Sequence, residues 1–149
     1  MKFFINFKLA HSVSHKKKEN ILISIFDFIF PAIEKFCGNN KSRAHYISLA
    51  VWEALYNSAL HGGTAEFLEV RTGLAYQKRL IFLIKDNGNF YQKQAVKKAI
   101  RKKDLGKLRN FKPHEKSGGY GFEIIFESKP KIKILKGAMC LIWKKACGQ

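Results

Sequence analysis

One ten-residue stretch limits the fold more than any other. In Arg79-Leu80-Ile81-Phe82-Leu83-Ile84-Lys85-Asp86-Asn87-Gly88, five consecutive apolar residues run without alternation and end in Asp-Asn-Gly. A short, uniformly apolar run closed by turn formers reads as a central, buried strand. The residues before it supply a pairing partner. Over residues 65–75, Leu68, Val70 and Thr72 alternate with other residues, which is the period of a second strand, and Tyr76-Gln77-Lys78 forms the hairpin connection.

The rest of the chain supplies a layer to cover that sheet. Residues 2–9 place Phe3, Ile5, Phe7 and Leu9 on one side, as a strand does. Ser14 caps a helix that starts at the Lys16–Lys18 run and continues to about Phe36. Its apolar positions recur at helical spacing, with Pro31 as a point of kinking and Gly38-Asn39-Asn40 as a stop. Ser42 to His61 reads as a second helix, with Ile47, Val51, Ala54, Leu55 and Ser58 on one face and Gly62-Gly63 at its end. Residues 91–116 hold ten Lys+Arg against two acids and few large apolar residues. They read as a basic segment with a short helix near 92–103 and little share in the core. A glycine cluster at 118–121, a helical stretch to about Ser128 and strands near 131–136 and 139–145 around Gly137 complete the chain. The order predicts an α+β protein, a two-layer sandwich of a mostly antiparallel sheet with helices on one face. The 149 residues form a single domain over 1–149.

Composition bounds the partners. Twenty-eight Lys+Arg against 11 Asp+Glu give a net charge of +17, while 46% hydrophobic residues exclude disorder. An anion therefore matters somewhere. Basic runs are usually solvated faces, and no nucleic-acid motif accompanies this one, so nucleic acid ranks low among partners without being excluded. The longest apolar run, Ile21 to Ile33, contains Asp27 and Pro31 and is too short for a bilayer, so no membrane partner is expected. Cys37, Cys140 and Cys147 show no disulfide or zinc spacing and read as buried thiols of a cytoplasmic protein.

Three spots carry chemistry. Glu53, Asn57 and His61 recur at spacing four on the second helix, so they share one stripe beside its apolar face. Asparagine is a poor residue for a helix interior. Its carbonyl is a hard ligand suited to Mg²⁺, and a carboxylate one turn away can orient a water or hydroxyl. Asp86, at the end of the most apolar strand, can set a carboxylate at the mouth of a pocket. Lys116-Ser117-Gly118-Gly119-Tyr120-Gly121-Phe122 can bring backbone N–H groups close to an anion, without the spacing of a Walker or dinucleotide fingerprint. Each spot alone reads as well as a solvated stripe, a turn or a glycine cluster.

Their order and separation are more telling. The sequence resembles the N, G1 and G2 boxes of the GHKL ATPase superfamily, whose nucleotide-binding domain is the Bergerat, or histidine-kinase-like, fold. Ala50 to Gly62 is similar to the N box, Asp86-Asn87-Gly88 to the G1 box and Gly119-Tyr120-Gly121-Phe122 to the G2 box. Among these ATPases the chain looks most like the bacterial anti-sigma factor serine kinases, and the likeness covers most of its length. The resemblance implies an ATP-binding protein-serine kinase that transfers the γ-phosphate to a serine of an anti-sigma factor antagonist and takes part in transcription regulation.

By the same resemblance, ATP and Mg²⁺ are the cofactors. Asn57 binds the metal, Glu53 is the catalytic base and Asp86 takes the adenine amino group. Gly88 lets the chain pass the base, and His61, Lys116, Ser117, Gly118, Gly119, Tyr120, Gly121 and Phe122 complete the nucleotide site. Residues 89–117 form a basic lid over the phosphates, where charge neutralisation assists phosphoryl transfer. The alternative is a non-catalytic Bergerat-fold module that sequesters a sigma factor or other acidic partner. A detached histidine-kinase catalytic domain ranks lower, for want of a dimerisation helix pair carrying a histidine. Trp52 and Tyr56 are candidates for packing on the first helix or for a homodimer surface.

Overall fold

The computed structural model describes residues 2–10, 12–64, 66–111 and 121–145. The chain folds as an α+β two-layer sandwich on one five-stranded sheet, in which every adjacent pair of strands is antiparallel and the order is β1-β2-β3-β5-β4. The strands are β1 (Lys2–Ala10), β2 (Phe67–Tyr76), β3 (Arg79–Asp86), β4 (Lys131–Leu135) and β5 (Ala138–Lys144). The uniformly apolar run is the middle strand. Leu80, Phe82 and Ile84 of β3 are fully buried, opposite buried Trp143, Leu141 and Met139 of β5. Each side chain so buried contributes about 1.5–3 kcal/mol.

One face of the sheet is covered by helices α1 (His15–Cys37) and α2 (Lys41–His61), which pack on each other and on β2 and β3. α1 begins where Ser14 accepts a hydrogen bond from the backbone N–H of Lys17, and it runs on through exposed Pro31. It stops at Gly38, whose φ of 60° is open to glycine and costly to residues with a Cβ. Asn40 caps α2 through its side chain, which accepts from Arg43 N–H. Trp52 of α2 meets Phe26 of α1 edge-on at 5.7 Å, so the first helix is its packing partner. Cys37 and Cys140 are buried, and burial pushes both thiols above their ordinary pKa. Cys147 lies outside the described residues.

The basic segment is more structured than its charge implies. A short turn at Phe90–Gln92 leads into α3 (Gln94–Arg101) and α4 (Leu105–Asn110), and α5 (Gly121–Glu127) packs on α2. Tyr91, Val96, Ala99, Ile100 and Leu108 are buried in the common core. The expectation that this segment contributes little core is thus corrected. Val96, Ala99 and Ile100 recur at helical spacing on one side of α3, and its lysines occupy the other. Asp104 then caps α4 by accepting from Lys107 N–H. None of the described helices is long and apolar enough to cross a membrane.

Candidate functional site

The end of β3 meets the end of α2, and small residues make the meeting close. A Cβ on Gly62 would lie 2.4 Å from the Ser58 carbonyl oxygen and 2.5 Å from Asp86 Oδ2, so no larger residue fits between helix and strand. Gly63 has a φ of 85°. A Cβ on Gly88 would lie 2.8 Å from Asp86 Oδ1, so this glycine too lets the chain fold tightly over the carboxylate.

Asp86 and Asn87 stand side by side and do different work. Asn87 is consumed by the backbone: its Oδ1 accepts from Glu69 N–H at 2.8 Å, and its Nδ2 donates to the Phe67 carbonyl at 3.1 Å. It extends the β2–β3 ladder past its last pair. Asp86 is buried and spends one oxygen, Oδ1, on the N–H groups of Gly88 at 2.7 Å and Gly63 at 3.2 Å. These two donors fix the carboxylate, while Oδ2 makes no hydrogen bond among the described residues and points toward α2 beside Gly62.

Asn57, Ser58, His61, Gly62, Asp86, Phe90 and Tyr91 line one cavity of about 40 Å³. Four of these, Ser58, Gly62, Phe90 and Tyr91, were not among the predicted site residues. Ser58 is 2% exposed, and its hydroxyl has no hydrogen-bond partner among the described residues. A buried hydroxyl left in that state costs about 1–3 kcal/mol, so it marks a place where a polar ligand atom is favourable. Tyr91 is buried beside Asp86. Burial, and then the Asp86 carboxylate, push its phenol well above the ordinary value and keep it protonated. The signals were present: a serine next to the unusual helical asparagine, and an aromatic pair at the head of a basic segment.

Asn57 also faces the other way. A Cβ on Gly121, the first residue of α5, would lie 2.9 Å from Asn57 Nδ2 and 3.0 Å from Glu53 Oε2. The amide and the carboxylate thus sit together, one helical turn apart, against the α5 backbone. Their oxygens are hard donors of the kind Mg²⁺ takes, with phosphate and water completing its shell. α4 is tied to α5 by Arg109, which donates to Glu123 at 2.9 Å on a half-exposed surface.

Five of the twelve predicted site residues are brought together here. Glu53, Asn57, Asp86, Gly88 and Gly121 converge where α2, β3 and α5 meet. His61 lies at the exposed end of α2, its ring 6.3 Å from that of Tyr56. Phe122 is a buried core residue stacked 6.4 Å from Phe90 and 6.1 Å from Phe126. Lys116, Ser117, Gly118, Gly119 and Tyr120 lie outside the described residues. Of the segment 89–117, residues 90–110 are packed onto the core and the part beyond Phe111 is not described. No protein-family model matches the chain, and no curated protein matches it significantly.

Proposed function

We propose that the protein is an ATP-binding protein-serine kinase of the anti-sigma factor type, acting on a serine of an anti-sigma factor antagonist. One observation carries this reading. Glu53 and Asn57 lie against Gly121 on one side, while Asn57 shares a cavity with Asp86 and Ser58 on the other. A base-binding carboxylate, a metal-binding amide and a general base are what a Mg·ATP site needs within one nucleotide's reach.

Asp86 Oδ2 accepts from the adenine amino group, its partner oxygen being held by Gly63 and Gly88. The Ser58 hydroxyl supplies a second polar contact to the base. The Asn57 carbonyl oxygen holds Mg²⁺, and Glu53 takes the proton from the attacking serine hydroxyl. When bound, the nucleotide supplies the phosphoryl group: a serine oxygen–phosphorus bond forms, the bond to the β–γ bridging oxygen breaks, and ADP leaves. The cavity of about 40 Å³ holds a water or two, so the site must widen to admit a purine. The buried thiols fit a cytoplasmic setting.

Calorimetric titration with ATP tests the reading. Binding is expected to require Mg²⁺, to weaken about 100-fold in Asn57→Ala, and to survive in Glu53→Ala while phosphate transfer is lost. No binding by the folded wild type overturns the proposal. Unchanged transfer by Glu53→Ala removes that residue from its role.

The small size of the cavity and the docked basic segment favour a second reading, a non-catalytic module that sequesters a sigma factor or another acidic partner. Single-turnover incubation with labelled ATP and a candidate partner separates the two. Label on a partner serine supports the kinase, and a complex without label supports the module.

A further inference from the structure

The β4 edge of the sheet carries a surface of another kind. β4 is an outer strand: it pairs with β5, and among the described residues no strand pairs with its other edge. Such an edge presents unpaired N–H and C=O groups, ready to pair with another chain. Ile132 and Ile134 of β4 stand opposite buried Leu141 and Met139, which puts them on the helix-covered face, yet both remain half-exposed. α3 only partly covers them and leaves a groove of about 440 Å³ beside the strand. Its apolar lining is Ile100, Pro130, Ile132 and Ile134, and its charged lining is Lys97, Arg101, Lys103 and Lys131, with no acidic residue.

The backbone around this groove is strained in a consistent way. Every positive φ at a described residue other than glycine falls on a lysine: Lys103 at 52°, Lys129 at 55° and Lys136 at 52°. Lys103 lines the groove, and the other two flank β4.

We propose that the groove between α3 and β4 binds an extended acidic peptide segment of a partner protein, which adds as a further strand to the free edge of β4. Alternate apolar side chains of the peptide cover Ile132 and Ile134, its carboxylates turn to the other face and meet Lys131 and Lys133, and Lys97, Arg101 and Lys103 add to the field that attracts an acidic segment. The unpaired edge selects an extended backbone, the aliphatic lining selects alternation, and the four cations select acidic residues. A second copy of this chain fits poorly, because each would carry the same cationic groove and a net charge of +17. A single-stranded nucleic acid finds no aromatic side chain in the lining on which to stack a base. The inference stands apart from the nucleotide site, which lies at the α2–β3 corner.

The test is nuclear magnetic resonance on the ¹⁵N-labelled full chain, titrated with a short synthetic peptide alternating Glu and Leu at about 0.15 M salt. Shifts are expected at Ile100, Ile132 and Ile134, with slowed amide exchange in β4. Affinity should fall about ten-fold when alternate peptide nitrogens are N-methylated, and by a similar factor in the double variant Lys97→Glu/Arg101→Glu. Lys131→Glu provides a second reading should that double variant not fold. Equal binding of the methylated peptide overturns the proposal, as do shifts scattered over the basic surface or none at millimolar peptide. Displacement of the peptide by oligothymidylate from the same residues overturns it in favour of nucleic acid.

Discussion

The α2–β3 corner and the α3–β4 groove are opposites in construction. The corner is drawn tight by glycines that let a helix and a strand touch, and a few polar groups meet there beside Phe90 and Tyr91: a carboxylate with one oxygen held, a hydroxyl without a partner among the described residues, an amide. The groove, about 440 Å³ against about 40 Å³, is far larger, lined with aliphatic side chains that a helix fails to cover, and bordered by cations. A small cavity with a few fixed polar groups suits a small ligand, and a long trough beside a strand edge suits a length of chain. The first lies at the end of the middle strand and the second at an outer strand of the same sheet.

Substitutions test that contrast most sharply at the corner. Gly62→Ala forces a methyl group against the Ser58 carbonyl and the Asp86 carboxylate, and is expected to cost about 3 kcal/mol in denaturant unfolding. A loss under about 1 kcal/mol would mean that helix and strand are not in contact in solution. Asn87→Ala strips partners from Glu69 N–H and the Phe67 carbonyl and should cost about 2 kcal/mol.

Alkaline pH offers a gentler probe. The Tyr91 phenol is raised in the folded state, so its contribution is complete below the ordinary tyrosine value and is lost as pH rises above it. Stability should fall above about pH 10, with Tyr91 supplying about 1.4 kcal/mol per pH unit to that slope. Tyr91→Phe should remove this part and leave the part due to the raised Cys37 and Cys140 thiols. An unchanged slope in denaturation midpoints would place the phenol in water. At the groove, Ile132→Ala should cost only about 1 kcal/mol, against about 2–5 for a fully buried isoleucine. A full-sized loss would show that the groove is shut in solution.

Local residue pattern made the sheet and the two long helices readable. Uninterrupted apolar residues marked β3, alternation marked β1 and β2, and Ser14 and Gly38 bounded α1. The spacing of Glu53 and Asn57 put both on one stripe, and both face Gly121. The basic segment was misjudged because its charge outweighed a short apolar repeat. Val96, Ala99 and Ile100 are few, but three residues on one face are enough to dock a helix of two turns. Ser58 was legible only as part of the apolar face of α2 and Tyr91 only as one of an aromatic pair, because their meeting beside Asp86 is a property of three elements at once.

The sequence by itself determined which segments become strands and helices, and which polar residues interrupt them. Those follow from local periodicity, caps and turn formers, which act over a few residues. Only the tertiary structure decided that Asp86 keeps one oxygen without a hydrogen bond among the described residues while both side-chain polar atoms of Asn87 are taken up by backbone, that the lysine-rich segment belongs to the core, and that, among the described residues, β4 is left with an unpaired edge beside a cationic groove. These depend on which surfaces come within a few ångströms of each other, and the chain settles that only when the whole sheet and its helical layer close together.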